Sequence, residues 1–152
     1  MEKVEILKKC DMFRTLNSAQ LQVIAKMSTP VEFEPGETIF RQDKILDKLY
    51  VIEEGLVAII LEVGPLAQRQ VQSASNFDVV GWSAMIEPHI STAAAKALEK
   101  TKALAFNGQE LHNLCLTKPE IGCRVSRGVA RIVAVRLRHA FSQLLGVTSS
   151  EQ

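Results

Sequence analysis

The spacing of hydrophobic residues changes twice along this chain, and this change restricts the possible folds more than any other feature. Between Val31 and about Phe106 hydrophobic residues recur at every second position, as in strands that bury one face. Turn residues interrupt this zone at Pro35-Gly36, Gly55, Gly64-Pro65 and Gly81. Many short strands with tight turns and few helices between them predict an antiparallel barrel or roll.

Alternation is clearest in two neighbouring segments of this zone. In residues 55–63 one face carries Val57, Ile59, Leu61 and Val63. In residues 66–73 one face carries Gln68, Gln70 and Gln72, and the other carries Ala67, Arg69, Val71 and Ser73. We expect the latter face to point into the barrel, where Arg69 could meet an anionic ligand. The alternative is an arginine at a strand end that reaches solvent.

Helical spacing precedes and follows the strand zone. Asn17 or Ser18 can cap a helix that Pro30 ends. A chain of 152 residues is long enough for one packed core and too short for two. We therefore predict a single domain over 1–152, with N-terminal helices over about 1–30, a roll over 31–107 and C-terminal helices over 108–146.

The last predicted helix is long and has two apolar stripes. A short helix around 109–115 precedes it, and Pro119 fits its first turn. The stripes contain Ile121, Val125, Val129 and Ile132, then Val133, Leu137, Phe141 and Leu144. One barrel face cannot cover both stripes, so the second predicts a homodimer. A row of small residues, Gly122, Ser126, Ala130 and Ala134, would allow another backbone to approach closely. We assign Val125, Val129, Ile132 and Arg136 to the dimer helix.

Three stretches agree in order and spacing with a known family. They are PGETIFRQDKILDKLYVIEEGLVAII (35–60), DVVGWSAMIEPHISTAAAKAL (78–98) and KPEIGCRVSRGVARIVAVRL (118–137). They resemble the front half of the roll, the phosphate-binding cassette and the dimerisation helix of a cyclic nucleotide-binding domain of the CRP/FNR type. The resemblance implies a mainly β fold, a double-stranded β-helix (jelly-roll β-roll) with flanking helices, a cassette over 78–93 and a long C-terminal helix.

The predicted cassette departs from the family pattern at the positions that bind the ligand. In the family, a Glu after a Gly accepts the ribose 2′-hydroxyl, and an Arg before Ser/Thr-Ala neutralises the cyclic phosphate. Here Gly81 is present, but Trp82 replaces that Glu and Ser91, ahead of Thr92 and Ala93, replaces that Arg. A guanidinium–phosphate pair in a half-buried pocket contributes about 2–5 kcal/mol. We therefore do not expect tight binding of cAMP or cGMP.

The candidate ligand pocket combines the cassette with the roll and the long helix. Its members are Val71, Gly81, Trp82, Ser83, Ser91, Thr92, Arg69, Arg136 and Leu137, of which the last two are assigned by family position. Trp82 either forms a wall of an apolar or stacking pocket or plugs the pocket as core. Asp43 replaces a glycine that the family usually has after the Gln of its second strand. A ligand between the cassette and the long helix would shift that helix.

Other kinds of site have weak support in the sequence. His89, His112 and His139 lack metal-ligand spacing, although His89 could ligate a haem or contact a ligand. There is no nucleophile elbow or phosphate-binding loop, so no enzyme is expected. Three cysteines without a CxxC pair and the lack of a long apolar run indicate a cytoplasmic protein with no membrane segment. No metal or certain cofactor is predicted, and a nucleotide or another small molecule is left open as ligand.

The sequence as a whole predicts a stand-alone regulatory domain that senses a small molecule and performs no chemistry. With 18 basic and 17 acidic residues the chain lacks the global field of a nucleic-acid binder. Too few residues follow Phe141 for the helix-turn-helix of CRP/FNR regulators, so we expect no direct sequence-specific DNA binding. The alternative is a non-liganded interaction or dimerisation module that meets a protein partner through its basic helix, with Arg124, Arg127, Arg131, Arg136 and Arg138.

Overall fold

Residues 1–146, which the computed structural model of this chain describes, form helices at both ends and strands between them. The helices are α1 (Lys3–Lys8), α2 (Ser18–Met27), α3 (Gly108–Thr117) and α4 (Pro119–Leu144). The strands are β1 (Thr29–Phe33), β2 (Thr38–Phe40), β3 (Lys48–Glu54), β4 (Val57–Gly64), β5 (Ala67–Ala74), β6 (Val79–Val80), β7 (Ala94–Ala97) and β8 (Thr101–Asn107). The end of the predicted domain, 147–152, lies outside the described residues.

The strands build two four-stranded antiparallel sheets, in the orders β1-β8-β3-β6 and β2-β7-β4-β5. Successive residues of β3 point to opposite faces, so Val51 packs with the helices while Ile52 packs with the second sheet. The cluster between the sheets contains Ile52, Val57, Ala74, Val80 and Ala95. The predicted β-roll with flanking helices is confirmed.

The helix boundaries follow the signals in the sequence. Asn17 caps α2: its side chain accepts a hydrogen bond from the Gln20 amide at 2.9 Å, and the Gln20 side chain accepts one from the Asn17 amide at 3.0 Å. The helix ends at Met27, before Pro30, and Pro119 is the first residue of α4. No helix in the described part of the chain has the length and apolar character that crossing a bilayer requires.

The first apolar stripe of α4 packs inside this chain. Val125 and Val129 are buried in the cluster that α1, α2, β3 and β8 also build, and Ile132 packs against it. Gly122 lies so close to α3 that a Cβ there would meet the Cys115 carbonyl oxygen at 2.3 Å. The assignment of Val125 to a dimer contact is therefore wrong, because the roll and the N-terminal helices already cover that face, whereas Val129, although buried, also borders a groove on the other side of α4. The exposed residues are those of the second stripe, Leu137, Phe141 and Leu144.

A bulge in β5 changes the predicted alternation. The register between β4 and β5 shifts by one residue at Val71, so residues on the two sides of the bulge do not keep a strict period of two. Arg69 pairs with Leu61, at the outer half of the hairpin, and is exposed. The expectation that Arg69 shares an inward face with Val71 and Ser73 is therefore wrong. Arg69 instead matches the alternative, an arginine that reaches solvent.

Candidate ligand-binding cavity

A cavity of about 230 Å³ lies between the second sheet, the segment after β6, and α4. Its apolar walls come from Phe40, Leu46, Ile59, Leu61, Val71, Val80, Trp82, Ala93, Ala94 and Ala140. Gln72, Gly81, Ser83, Ser91, Thr92, Arg136 and Gln143 complete the lining. The structure thus brings together seven of the nine residues predicted for the pocket, and it leaves out Arg69 and Leu137.

Gly81 directs the chain so that Trp82 faces the cavity. It has a φ of 84°, and a Cβ there would lie 3.0 Å from the Lys48 carbonyl oxygen. A 3-10 helix, Trp82–Met85, starts directly after it. Trp82 is half-buried against the core, and the cavity persists beside it. Trp82 therefore forms a wall of the cavity and does not fill it.

Ser91, at the position where the family resemblance implies an arginine, supports a loop. Its hydroxyl donates to the Arg41 carbonyl oxygen at 2.5 Å and accepts from the Lys44 amide at 3.1 Å. The same loop contains Asp43, whose φ of 60° is the left-handed conformation that glycine adopts most readily. Both hydrogen bonds of Ser91 tie the cassette to the β2–β3 loop, so its hydroxyl is engaged with backbone. Thr92 is exposed beside it.

Arg136 connects α4 to the wall of the cavity. Its Nη1 donates to Gln72 Oε1 at 2.9 Å and its Nη2 donates to the Val79 carbonyl oxygen at 3.0 Å, while Gln72 Nε2 donates to the Arg136 carbonyl oxygen at 3.2 Å. Burial lowers the pKa of this guanidinium, and the charge of Asp78 opposes that shift. One and two turns further along α4, Ala140 and Gln143 also line the cavity. The side-chain Nε2 of Gln143 donates to the Val71 carbonyl oxygen.

A second cavity, of about 260 Å³, lies on the opposite side of the Arg136–Gln72 pair. Its lining is more polar and comes from the turn after α1, the end of β5, the loop before β6, β6 itself and α4. It includes Lys9, Cys10, Asp11, Ser73, Asn76, Phe77, Asp78, Val79, Ile132, Val135 and His139. Since both cavities share Gln72 and Arg136, this pair forms the partition between them.

Leu137 faces away from the candidate cavity. It is 52% exposed and lines an apolar groove on the other side of α4. The groove is formed by Met85, Ile86, Ser126, Val129, Ala130, Val133, Ala134 and Leu137. The prediction that Leu137 contacts a ligand is wrong, because the neighbouring Arg136 takes the inward position and consecutive helical residues point about 100° apart.

His89 and the acidic side chains do not converge on a metal position. His89 Nδ1 lies 3.1 Å from the Ser83 carbonyl oxygen, and His89 is half-buried in the loop before Ile90. Within residues 1–146 there is no group of three or more His, Cys, Asp or Glu side chains that could hold a metal ion.

Residues 30–118 match the sequence model of the cyclic nucleotide-binding domain family. The chain belongs to the cyclic nucleotide-binding domain family. It is 25% identical over 140 residues to the CRP-like cAMP-activated global transcriptional regulator of Mycobacterium tuberculosis, a match that covers 92% of this chain and 61% of that relative. The domain thus spans about three fifths of the length of this curated relative. The predicted family is confirmed.

Two solved structures show the same fold. The N-terminal domain of a transcriptional regulator from Streptomyces coelicolor has a TM-score of 0.73 and 25% identity, covering 94% of this chain and 95% of that one. A cyclic nucleotide-binding domain from Methylobacillus flagellatus has a TM-score of 0.83 and 17% identity, covering 95% and 82% of the two chains. Both comparisons therefore support the β-roll fold described above for this domain.

Two polar cavity residues of this domain, Gln72 and Gln143, were missed in the sequence, as were the apolar wall residues other than Val71 and Trp82. Gln72 lies in a run of alternating glutamines, so nothing in the pattern distinguishes it from Gln68 or Gln70. Gln143 follows the segment that carries the family resemblance, where only its spacing of seven residues from Arg136 would have placed it on the same helix face. Neither residue can be assigned to the cavity without the position of α4 relative to β5.

Proposed function

We propose that this domain is a small-molecule sensor whose ligand occupies the cavity beside α4 and changes the position of that helix. The observation that supports this most directly is that α4 both lines the cavity and is hydrogen-bonded across it through Arg136 and Gln72. An occupant must contact the side chains that hold α4 in place. A ligand that binds one arrangement of α4 better than another shifts the population toward it.

Cyclic nucleotides are expected to be weak ligands of this cavity. The indole N–H of Trp82 donates a hydrogen bond and cannot accept one from a ribose hydroxyl. The Ser91 hydroxyl is engaged with the Arg41 and Lys44 backbone and carries no charge to neutralise a phosphate. These features argue for a ligand other than cAMP, although the relative in M. tuberculosis is named as cAMP-activated.

The apolar groove on the other side of α4 supports a homodimer through which a shift of the helix could be transmitted. Leu137 and Phe141 are 52% and 56% exposed, and Ile86 at the groove edge is 40% exposed. Contiguous exposed apolar surface of this kind marks protein interfaces. The small side chains of Ala130 and Ala134 line the groove and allow a second helix to pack closely.

Native mass spectrometry followed by hydrogen exchange tests the sensor. We expect a dimer that carries a co-purified small molecule or acquires one from a compound panel, with slower amide exchange at the C-terminal end of α4 once it is bound. Ala140→Phe fills the cavity from α4 and should abolish binding. Ala67→Phe, on the exposed hairpin, is the matched control and should leave binding unchanged.

A non-liganded interaction module remains the alternative outcome of that experiment. Two arginines of the basic helix are already engaged within the chain, Arg124 with the Thr15 carbonyl oxygen and Arg131 with that of Asp11. Only Arg127 and Arg138 keep exposed side chains without such contacts among the described residues. Failure of every compound to bind or to alter exchange in α4 would favour this alternative over the sensor.

A further inference from the structure

The cavity beside α4 combines apolar walls with one charged side chain. Arg136 is the only charged residue that lines it within residues 1–146. Its volume of about 230 Å³ is smaller than the roughly 300–1,000 Å³ typical of sites for drug-sized ligands. The part of an occupant that the cavity encloses must therefore be compact, and most of its surface must be apolar to match the walls.

The Arg136 guanidinium has no anionic partner within ion-pair distance in the described part of the chain. Its two hydrogen bonds go to the neutral oxygens of Gln72 and Val79, and Asp78 acts on it only at longer range. A guanidinium has five N–H donors, so donors are left for a ligand. Since removal of a cation from water is unfavourable unless an anion pairs with it, a ligand anion gains from this position.

Three of the other polar side chains of the cavity are engaged with the protein. Gln72 bonds to Arg136, Gln143 to the Val71 carbonyl oxygen, and Ser91 to the β2–β3 loop. The lining also offers neutral groups, the hydroxyls of Ser83 and Thr92 and the indole N–H of Trp82, beside its one charged donor, Arg136. Among these groups only Arg136 favours a charged group over a neutral one, and the charge that it favours is negative.

We propose that the cavity takes a compact apolar carboxylate, such as a short aromatic or branched aliphatic acid, whose carboxylate pairs with Arg136 and whose body packs against Trp82. This rests on the proposed function, because it names the ligand class of the same cavity. The planar carboxylate matches the guanidinium fork and can accept two parallel hydrogen bonds. The ligand would share the guanidinium with Gln72, which couples occupancy to the contact between α4 and β5.

Trp82 is the only tryptophan of the chain and lines the cavity, so its fluorescence reports binding directly. The probes are phenylacetate and isovalerate, each compared with its neutral amide, together with cAMP. We expect each acid to bind about tenfold or more tightly than its amide, as a charge-assisted pair implies. Arg136→Gln should remove this preference, Arg136→Lys should keep part of it, and Arg69→Gln, an exposed arginine of β5, should leave it unchanged.

The outcomes separate the ligand class from the sensor role. Equal affinity of acid and amide for the unmodified protein overturns the carboxylate assignment, and this comparison does not depend on any variant folding. Lack of binding by both acids, or binding by cAMP alone, also overturns the carboxylate assignment. In the case of cAMP binding, the sensor role would still hold, with cAMP as its ligand. Tight, Arg136-dependent acid binding with unchanged hydrogen exchange in α4 would instead support the ligand class and contradict the sensor role.

Discussion

Arg136 and Gln72 hydrogen-bond to each other in both directions: the guanidinium donates to the Gln72 side chain at 2.9 Å, and the Gln72 amide donates to the Arg136 backbone carbonyl at 3.2 Å. One residue lies on α4 and the other on β5. The same pair separates the apolar cavity from the polar cavity beside Lys9. This contact therefore helps to hold α4 on β5 and borders both cavities.

Replacing Gln72 by Leu should loosen α4. The substitution removes both bonds of the pair and leaves Arg136 with Val79 alone, so we expect a loss of about 1–3 kcal/mol in the free energy of unfolding. Urea denaturation gives this value, and hydrogen exchange should become faster at the C-terminal end of α4. Gln70→Leu, exposed on the same strand, is the control. Equal exchange in the two variants would contradict the role of the pair.

Gly81→Ala should destabilise the domain. At a φ of 84°, and with the Lys48 carbonyl oxygen 3.0 Å from the new Cβ, we expect a loss of about 1–3 kcal/mol. Gly64→Ala is the control, because no atom lies within 4 Å of its Cβ position. Denaturant unfolding of both variants measures the difference. Similar stabilities would show that the turn before Trp82 tolerates a side chain.

Phe141→Glu should disrupt the proposed dimer. A charge placed on the exposed apolar stripe of α4 would be buried without a partner in the interface, and we expect the dimer dissociation constant to rise by roughly a hundredfold. Light scattering during size-exclusion chromatography at several protein concentrations measures this. Leu116→Glu, on α3 and 67% exposed, is the matched control. A dimer that survives Phe141→Glu and Leu137→Glu would place the interface elsewhere.

Cys10 should make stability depend on pH in the alkaline range. Burial raises the pKa of its thiol from 9.0 to about 12 in the folded state. A raised pKa means that the folded protein holds this proton more tightly than the unfolded chain does. The contribution of the thiol to the free energy of unfolding is therefore complete below pH 9 and decreases as the pH rises toward 12. The free energy of unfolding of Cys10→Ala, measured by denaturation across this pH range, should decline less steeply with pH than that of the unmodified protein.

The cysteines also provide a chemical check of this prediction. Cys123 is exposed and Cys10 is buried, so a thiol reagent should modify Cys123 rapidly and Cys10 only when the chain unfolds. Cys123→Ala is the control for the pH measurement, and its alkaline decline should match that of the unmodified protein. Modification of Cys10 at the rate of Cys123 would contradict the burial that raises its pKa.

Local signals predicted the elements that depend on neighbouring residues. The cap at Asn17 and the helix start at Pro119 depend on contacts within one turn, and both are confirmed. The face assignments of Arg69 and Val125 were wrong for different reasons. A bulge at Val71 altered the strand alternation, and in α4 the choice between two apolar stripes depends on which one the N-terminal helices cover.

The amino-acid sequence determined the fold and the lack of a charged side chain at positions 82 and 91, because hydrophobic period, turn residues and the presence of Trp82 and Ser91 can be read without knowing any distant contact. Only the tertiary structure decided which partners hold Arg136, the one charged residue of the cavity lining within residues 1–146. Arg136 on α4 hydrogen-bonds to Gln72 on β5, although the two residues are 64 positions apart in the sequence. Such a contact forms only when the whole roll has folded beneath the helix, and no local pattern specifies it.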